Sequence, residues 1–225
     1  MTVDTDGMEL YDKGEEKAWQ ELFFVFAGEK EEVIPRRIGI LGMTPQDISD
    51  LRAADRIRGH FAAEGKHAIC YGMGNGLDDV KSVSNVEKHI VVAPAALEAA
   101  KYLERTFGTP YEIAYPLVDE LVYDMDYSGK KVLVVQQQVI GNAIREEILK
   151  KASDVQVTVA SWFMMKSGLR QDGDLHLRDE DDYMELVENG DFDVIYADHC
   201  MERMTPKFAG IFVDTVHFAV SGRLK

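Results

Sequence analysis

Short apolar runs alternate with helix-like stripes along most of the chain. The run His89–Ala93 is rich in β-branched residues and suits a strand that is buried on both faces. Pro94 falls where a helix tolerates proline, in the first turn, and Gly108 falls where a helix ends. Between them the apolar residues recur at helical spacing: Leu97, Ala100, Leu103 and Phe107. Strand, tight turn, helix and next strand predict one βα unit of a parallel sheet.

The same alternation predicts further strands and helices on both sides of this unit. Before it we expect strands over Arg37–Gly42 and Lys66–Tyr71, with a helix between them that extends to about Glu64. We expect Asp47 or Ser49 to cap this helix and its apolar stripe to begin at Leu51. After it we expect a helix over 139–151 and strands over 130–135, 155–160, 192–197 and 211–213, with a further helix over 179–188.

The predicted fold is therefore α/β, with two Rossmann-like three-layer domains built on parallel sheets. We expect an N-terminal helical segment over residues 1–36, a first domain over 37–116, a linker over 117–130 and a second domain over 131–225. The predicted N-terminal helix, 13–27, is unusually apolar, with Trp19, Phe23 and Phe24. We expect it to pack on the domain behind it; a partner subunit is the alternative surface.

Charge and cysteine content exclude several classes of protein. The 225 residues carry 25 basic and 40 acidic side chains, a net charge of −15, and no basic cluster that would favour nucleic acid. No apolar run is long enough for a membrane span, and the first residues lack a signal peptide, so we expect a cytoplasmic protein that binds neither membrane nor nucleic acid. Two cysteines, Cys70 and Cys200, cannot by themselves supply four thiolates to an iron–sulfur cluster.

Candidate ligand-binding residues lie where the predicted strands end, because α/β sheets bind ligands outside the carboxyl ends of their strands. Three groups fulfil this condition: Gly72, Gly74 and Gly76; Ala93 and Pro94; and Gln136, Gln137 and Gln138. The glycines could cradle an anion or only form a tight turn, since their spacing departs from the dinucleotide fingerprint. The glutamines could contact a small-molecule ligand or cap the next helix.

A candidate metal site follows the strand over 192–197. His199 and Cys200 follow the carboxyl end of that strand, and with His217 they offer two imidazoles and a thiol, donors suited to iron or zinc. Helix capping and a small buried thiol are the alternative explanation for His199 and Cys200, and the one that we favour.

Several segments together resemble one known family. These are Arg37–Pro45, the glycine loop 72–76, Val91–Tyr115 with LEAAKYLERTFGTPY, residues 129–144 with GKKVLVVQQQVIGNAI, and FDVIYADHCMERM followed by FVDTVHFAVSG. In this order they are similar to the nitrogenase component 1 type oxidoreductases, which include nitrogenase molybdenum–iron protein subunits, cofactor-assembly scaffolds and protochlorophyllide reductases. The resemblance runs from about residue 4 to the end and covers the second and third of the family's three Rossmann-like domains.

The resemblance implies an oxidoreductase subunit, or a C-terminal fragment of one, that is not a true nitrogenase. It would hold part of an iron–sulfur or related metallocluster shared with another domain or subunit. It would pair with a related subunit, as a homo- or heterodimer, and receive electrons from an ATP-dependent reductase. His217 falls where the family has its cofactor histidine, whereas the cofactor cysteine would fall near Val92 and Ala93, which cannot ligate metal. A non-catalytic scaffold or regulator that binds a cofactor or small molecule is the alternative function.

Overall fold

The computed structural model describes residues 11–45 and 47–215, which form two compact units. The first unit extends to Leu117 and the second begins at Val118. Each unit is an α/β assembly around one parallel sheet, which confirms the predicted fold class. Among the described helices, none has the length and apolarity needed to cross a membrane.

The first unit contains a four-stranded parallel sheet in the order β2-β1-β3-β4. Its strands are β1 Arg37–Leu41, β2 His67–Cys70, β3 Lys88–Val91 and β4 Tyr111–Ile113. Its helices are α1 Tyr11–Phe26, α2 Ala53–Ala63, α3 Leu77–Lys81 and α4 Leu97–Phe107. As predicted, Pro94 opens a 3₁₀ turn that leads into α4, and Gly108 ends the helix in a left-handed conformation.

The predicted cap and first apolar residue of α2 were wrong. The helix begins only at Ala53, and Leu51 is half exposed in the loop before it. Just before the helix, Asp50 Oδ1 accepts a hydrogen bond of 2.9 Å from the Arg52 amide. Asp47 is buried in the same loop, next to α1 instead of α2. Leu51 keeps the apolar spacing of the helix although it is half exposed, so hydrophobic spacing continued past the true helix start.

Helix α1 packs on the first unit through two of its aromatic rings. Trp19 and Phe23 are buried, and Phe23 meets the ring of Tyr71 edge-on at 5.6 Å between centroids. Phe24, in contrast, is 67 % exposed and touches only the ring of Tyr102 among the described aromatic side chains. The apolar character of α1 is therefore explained in large part by packing within its own unit.

A histidine lies in the apolar interior of this unit. His89, in β3, is fully buried beside Gly39 of β1, where a Cβ would overlap the imidazole ring. The ring of Tyr71 is 6.2 Å away between centroids. Neither ring nitrogen of His89 has a hydrogen-bond partner among the described residues, and burial lowers the pKa of the imidazole to about 3.

The second unit contains a five-stranded parallel sheet in the order β7-β6-β5-β8-β9. Its strands are β5 Lys131–Val135, β6 Gln156–Ser161, β7 Leu175–His176, β8 Val194–Ala197 and β9 Ile211–Asp214. Its helices are α5 Gln138–Lys151, α6 Glu180–Asn189 and α7 His199–Glu202. The chain starts in the middle of the sheet, moves to one edge, and then returns to fill the other side, so the order reverses between β5 and β8.

Two close contacts hold this unit together away from the sheet ends. Helix α5 approaches β6 at Gly141, where a Cβ would lie 2.7 Å from a methyl group of Val159. The hydroxyl of Tyr127 donates to the Tyr123 carbonyl at 2.6 Å and also meets the hydroxyl of Tyr196 in β8. The segment before β5 is thereby attached to the middle of the sheet.

Candidate functional site

The carboxyl ends of β5 and β8 form the reversal point of the second sheet, where open α/β sheets bind their ligands. Val132 pairs with Val194 and Val134 with Tyr196. Carried two residues further, this register places Gln136 beside Asp198. The structure thus brings two groups of sequence-predicted residues, the glutamines 136–138 and the segment 198–200, to one edge.

Asp198, His199 and Cys200 form the cluster that is chemically best equipped at this edge. Asp198 is 2 % exposed and accepts a hydrogen bond of 2.7 Å from the Cys200 amide through Oδ1. His199 Nδ1 lies 3.5 Å from the same carboxyl oxygen and 3.9 Å from Cys200 Sγ. One ligand atom from each residue lies within 4.8 Å of the other two, so the three could share one metal ion.

The electrostatics of Cys200 do not favour a reactive thiol. Its pKa is raised, first by the hydrogen bond with the Asp198 carboxylate and then by desolvation. Catalytic thiols need the opposite surroundings, with a cation or a helix dipole that stabilises the thiolate. The cluster is therefore better suited to sharing a cation than to nucleophilic attack.

Asp214 belongs to the same edge and was not predicted from the sequence. It is the last residue of β9, and its Oδ1 accepts a hydrogen bond of 3.1 Å from the His199 amide. The available signal was an acidic residue at the end of a short apolar strand, the same signal that marks Asp198. Its significance depends on β9 lying next to β8, which the sequence pattern does not reveal.

The three glutamines are all buried, and their amide groups bond to the backbone. Gln137 caps α5, with Oε1 accepting from the amides of Val139 at 2.6 Å and Ile140 at 3.3 Å. Gln136 Oε1 accepts from the amide of Gln137 at 2.9 Å. These contacts agree with the capping alternative; ligand binding by Gln136, Gln137 and Gln138 stays a prediction.

One face of α5 holds the loop that follows β6. Gln138 donates from Nε2 to the Lys166 carbonyl at 3.1 Å and accepts from the Lys166 amide at 2.5 Å. One turn later, Asn142 donates to the Leu169 carbonyl at 2.7 Å. Arg145 then forms a buried ion pair with Asp174, with side chains that are 3 % and 1 % exposed. Spacings of four and three residues place all three anchors on one helix face.

The described residues are poorly suited to hold an iron–sulfur cluster. Such clusters are held mainly by several thiolates, and the second unit contributes one, Cys200. Cys70 lies in the first unit at the end of β2, where it is buried and donates weakly to the Ala54 carbonyl at 3.7 Å. Burial raises the pKa of this thiol to about 11, so it is a poor source of thiolate. A single ion with mixed ligands fits the residues better.

In the first unit, the predicted residues Ala93 and Pro94 are fully buried at the end of β3. A Cβ at Gly42, after β1, would lie 2.9 Å from the Cβ of Ala93, so the two strand ends are in close contact. Helix α1 covers the same edge, with Trp19 packed against Gly72 after β2. The described residues leave little room for a ligand here, and cofactor binding by Ala93 and Pro94 is untested.

Between α1 and the loop after β1 lies a pair of carboxyl groups, of which Asp47 is buried and Glu15 is half-buried. Thr44 donates from Oγ1 to Glu15 Oε1 at 3.1 Å, and Trp19 donates from Nε1 to the same oxygen at 3.0 Å. Burial raises the pKa of Asp47 well above its usual value, and the neighbouring Glu15 carboxyl raises it further. The pKa of Glu15 is raised mainly by burial too. One proton shared by the pair relieves the repulsion.

The glycine loop 72–76 forms a tight turn whose interior is filled by side chains. Gly72 and Gly74 have φ values of 98° and 84°, which only glycine adopts readily. Arg58 donates to the Met73 carbonyl at 3.0 Å and to Asn75 Oδ1 at 2.8 Å. Gly76 precedes the five-residue α3, whose first turn is acidic. These contacts account for the glycines without an anion, and cofactor binding by Gly72, Gly74 and Gly76 stays a prediction.

The sequence-predicted ligand His217 lies outside the described residues. Three other histidines, His60, His67 and His176, have exposed side chains. The described part of the predicted metal site thus consists of His199 and Cys200, to which the structure adds Asp198.

Comparison with known proteins identifies the fold. No protein-family model matches the chain, and no curated protein matches its sequence. Among the solved structures, 33 chains match. One is nitrogenase Cp1 at pH 6.5, with a TM-score of 0.62 and 15 % sequence identity over 91 % of this chain. The chain spans 58 % of that protein's length. The chain therefore has a nitrogenase-like fold of two parallel α/β units.

Proposed function

We propose that this chain is a subunit, or part of a subunit, of an oxidoreductase of nitrogenase component 1 type. The observation that carries the proposal is the cluster Asp198–Cys200 at the reversal point of a sheet whose fold is nitrogenase-like. In this role the edge formed by the loops after β5 and β8 and by the end of β9 borders the place where a metal centre and a small substrate meet.

In the proposed complex the metallocentre carries out the electron transfer, and the protein supplies binding and orientation. Any iron–sulfur cluster is shared with a cysteine-bearing domain or related subunit, because this chain has only two cysteines. Electrons arrive from an ATP-dependent reductase partner. The chain's own part is to hold ligands at the second unit's carboxyl edge, with His217 as a further candidate ligand.

Anaerobic purification of the tagged full chain from its native cells tests this proposal. Iron and acid-labile sulfide are measured in the eluate, and reduction is followed by electron paramagnetic resonance with and without MgATP. We expect iron and sulfide to elute with a cysteine-bearing partner and to become reduced in the presence of MgATP. A colourless chain that elutes alone, without iron or sulfide, would show that the proposal is wrong.

A second function is favoured by the shortage of thiolates. The chain could be a binding scaffold or regulator that shares the fold and lacks the electron-transfer centres. This function expects a chain that binds a small cofactor without iron or sulfide and without any response to MgATP. The same purification separates the two functions, because each predicts a different metal and sulfide content.

A further inference from the structure

We propose that Asp198, His199 and Cys200 form a mononuclear site for one divalent transition-metal ion, Zn²⁺ or Fe²⁺, with an open coordination position. This inference rests on the proposed function, because it names the metal that would bind at the same edge of the second sheet. It differs in requiring no iron–sulfur cluster, no partner subunit and no reductase.

Two of the three distances between the donor atoms are close to those around a tetrahedral ion. With metal–ligand distances of about 2.0–2.3 Å, a tetrahedral site separates oxygen from nitrogen by about 3.3 Å and nitrogen from sulfur by about 3.6 Å. The corresponding separations are 3.5 Å from Asp198 Oδ1 to His199 Nδ1 and 3.9 Å from His199 Nδ1 to Cys200 Sγ. The third separation, from the Asp198 carboxylate to Cys200 Sγ, is within 4.8 Å, so reaching a tetrahedral distance of about 3.6 Å would take a shift of about 1 Å at most.

The donor set selects the class of metal. An imidazole, a thiol and a carboxylate together suit zinc or ferrous iron, whereas magnesium and calcium prefer oxygen ligands alone. The side chain of His199 is 36 % exposed and Cys200 is exposed, while Asp198 is buried. Water can therefore reach a fourth position, as in catalytic metal sites that keep three protein ligands.

Backbone contacts fix the short segment that carries the three donors. Asp198 accepts from the Cys200 amide, and Asp214 of the neighbouring strand accepts from the His199 amide. Both contacts hold the backbone of residues 198–200 in the turn that directs its donors toward one another. Such supporting contacts typically accompany metal sites and orient the ligands.

Metal binding by the reduced full chain tests the inference directly. The protein is stripped with a chelator, then titrated with Co²⁺ under anaerobic conditions, and Zn²⁺ affinity is measured by competition with a chromophoric chelator. We expect one ion per chain and a thiolate-to-cobalt charge-transfer band in the near ultraviolet. Bound Zn²⁺ should also protect Cys200 from alkylation by iodoacetamide, a readout that needs no variant.

Matched variants separate the site from adventitious binding. Cys200→Ser and His199→Ala should each weaken Zn²⁺ binding by more than about tenfold, the least that loss of even a supporting contact costs. Cys70→Ala and His60→Ala remove a thiol and an imidazole elsewhere and should leave the affinity unchanged. Circular dichroism establishes that each variant is folded.

The inference is overturned if Co²⁺ gives no thiolate band, or if Cys200→Ser binds Zn²⁺ as tightly as the wild type. Alkylation of Cys200 at an equal rate with and without Zn²⁺ would also overturn it. Because these measurements use the isolated chain, they can succeed when purification from native cells yields no iron, sulfide or partner. That combination would retain the metal site and reject the proposed oxidoreductase.

Discussion

The buried imidazole of His89 makes the stability of the first unit depend on pH. The folded unit holds this group neutral, with a pKa of about 3, while the unfolded chain protonates it near its ordinary pKa of 6.5. Since the unfolded state then binds more protons, the free energy of unfolding falls as the pH drops below 6.5. This contribution to stability is fully present above that pH and decreases until the folded pKa is reached.

The magnitude follows from the two pKa values. Each pH unit between them removes about 1.4 kcal/mol, so a change from about pH 7 to about pH 4.5 removes about 2.5 kcal/mol. His89→Leu eliminates this effect. The variant should be at least as stable as the wild type at neutral pH, because an apolar side chain replaces two ring nitrogens that have no partner among the described residues.

The assay is urea denaturation followed by fluorescence in a Trp162→Phe background. Trp19 then reports on the first unit alone, because the chain has two tryptophans and Trp162 lies in the second unit. The difference in unfolding free energy between His89→Leu and the parent should grow by about 2.5 kcal/mol from about pH 7 to about pH 4.5.

Comparing the two proteins cancels the other acid titrations of the unit, including those of Glu15 and Asp47, whose raised pKa values act in the opposite direction. His67→Leu, which removes an exposed imidazole from the same sheet, should keep the parent's response. A difference between His89→Leu and the parent that stays constant with pH would refute the argument.

Three further substitutions test the packing described above. Asp47→Asn should stabilise the first unit more at about pH 8 than at about pH 5, because a carboxyl whose pKa is raised in the folded state destabilises that state as the pH rises. Equal shifts of the urea midpoint at the two pH values would contradict this. Arg145→Met should cost the second unit about 3–5 kcal/mol in urea denaturation, since it leaves Asp174 buried and charged, and adding Asp174→Leu should recover part of the loss. Gly141→Ala should cost about 1–3 kcal/mol through overlap with Val159, and an unchanged thermal midpoint would show that α5 can move away.

Hydrophobic spacing was sufficient to predict most of the strands and helices. The pattern over His89–Phe107 identified β3, its proline turn and α4, because each local preference agrees with the fold around it. It failed before α2, where Leu51 continues the apolar period although the helix has not yet begun. Asp47 of that loop is buried beside α1, and this tertiary contact is one that periodicity cannot reveal.

The candidate site was predictable only in part. His199 and Cys200 could be found because a polar segment after a buried strand is a local signal. The contribution of Asp214 depends on β9 lying beside β8, and the strand order of a sheet is not encoded in the spacing of apolar residues. The contacts of Gln138 were likewise hidden, because a side chain that bonds to backbone in a distant loop leaves no periodic trace.

The contacts that hold the loop 162–174 against α5 affect how a ligand could reach the edge of the second sheet. A loop that is bonded to a helix at three successive turns cannot move independently of that helix. On this side of the second unit we therefore expect the loop to stay in place when a ligand enters or leaves. At the short α7, in contrast, the histidine and the cysteine are open to water, so a bound molecule can exchange past them.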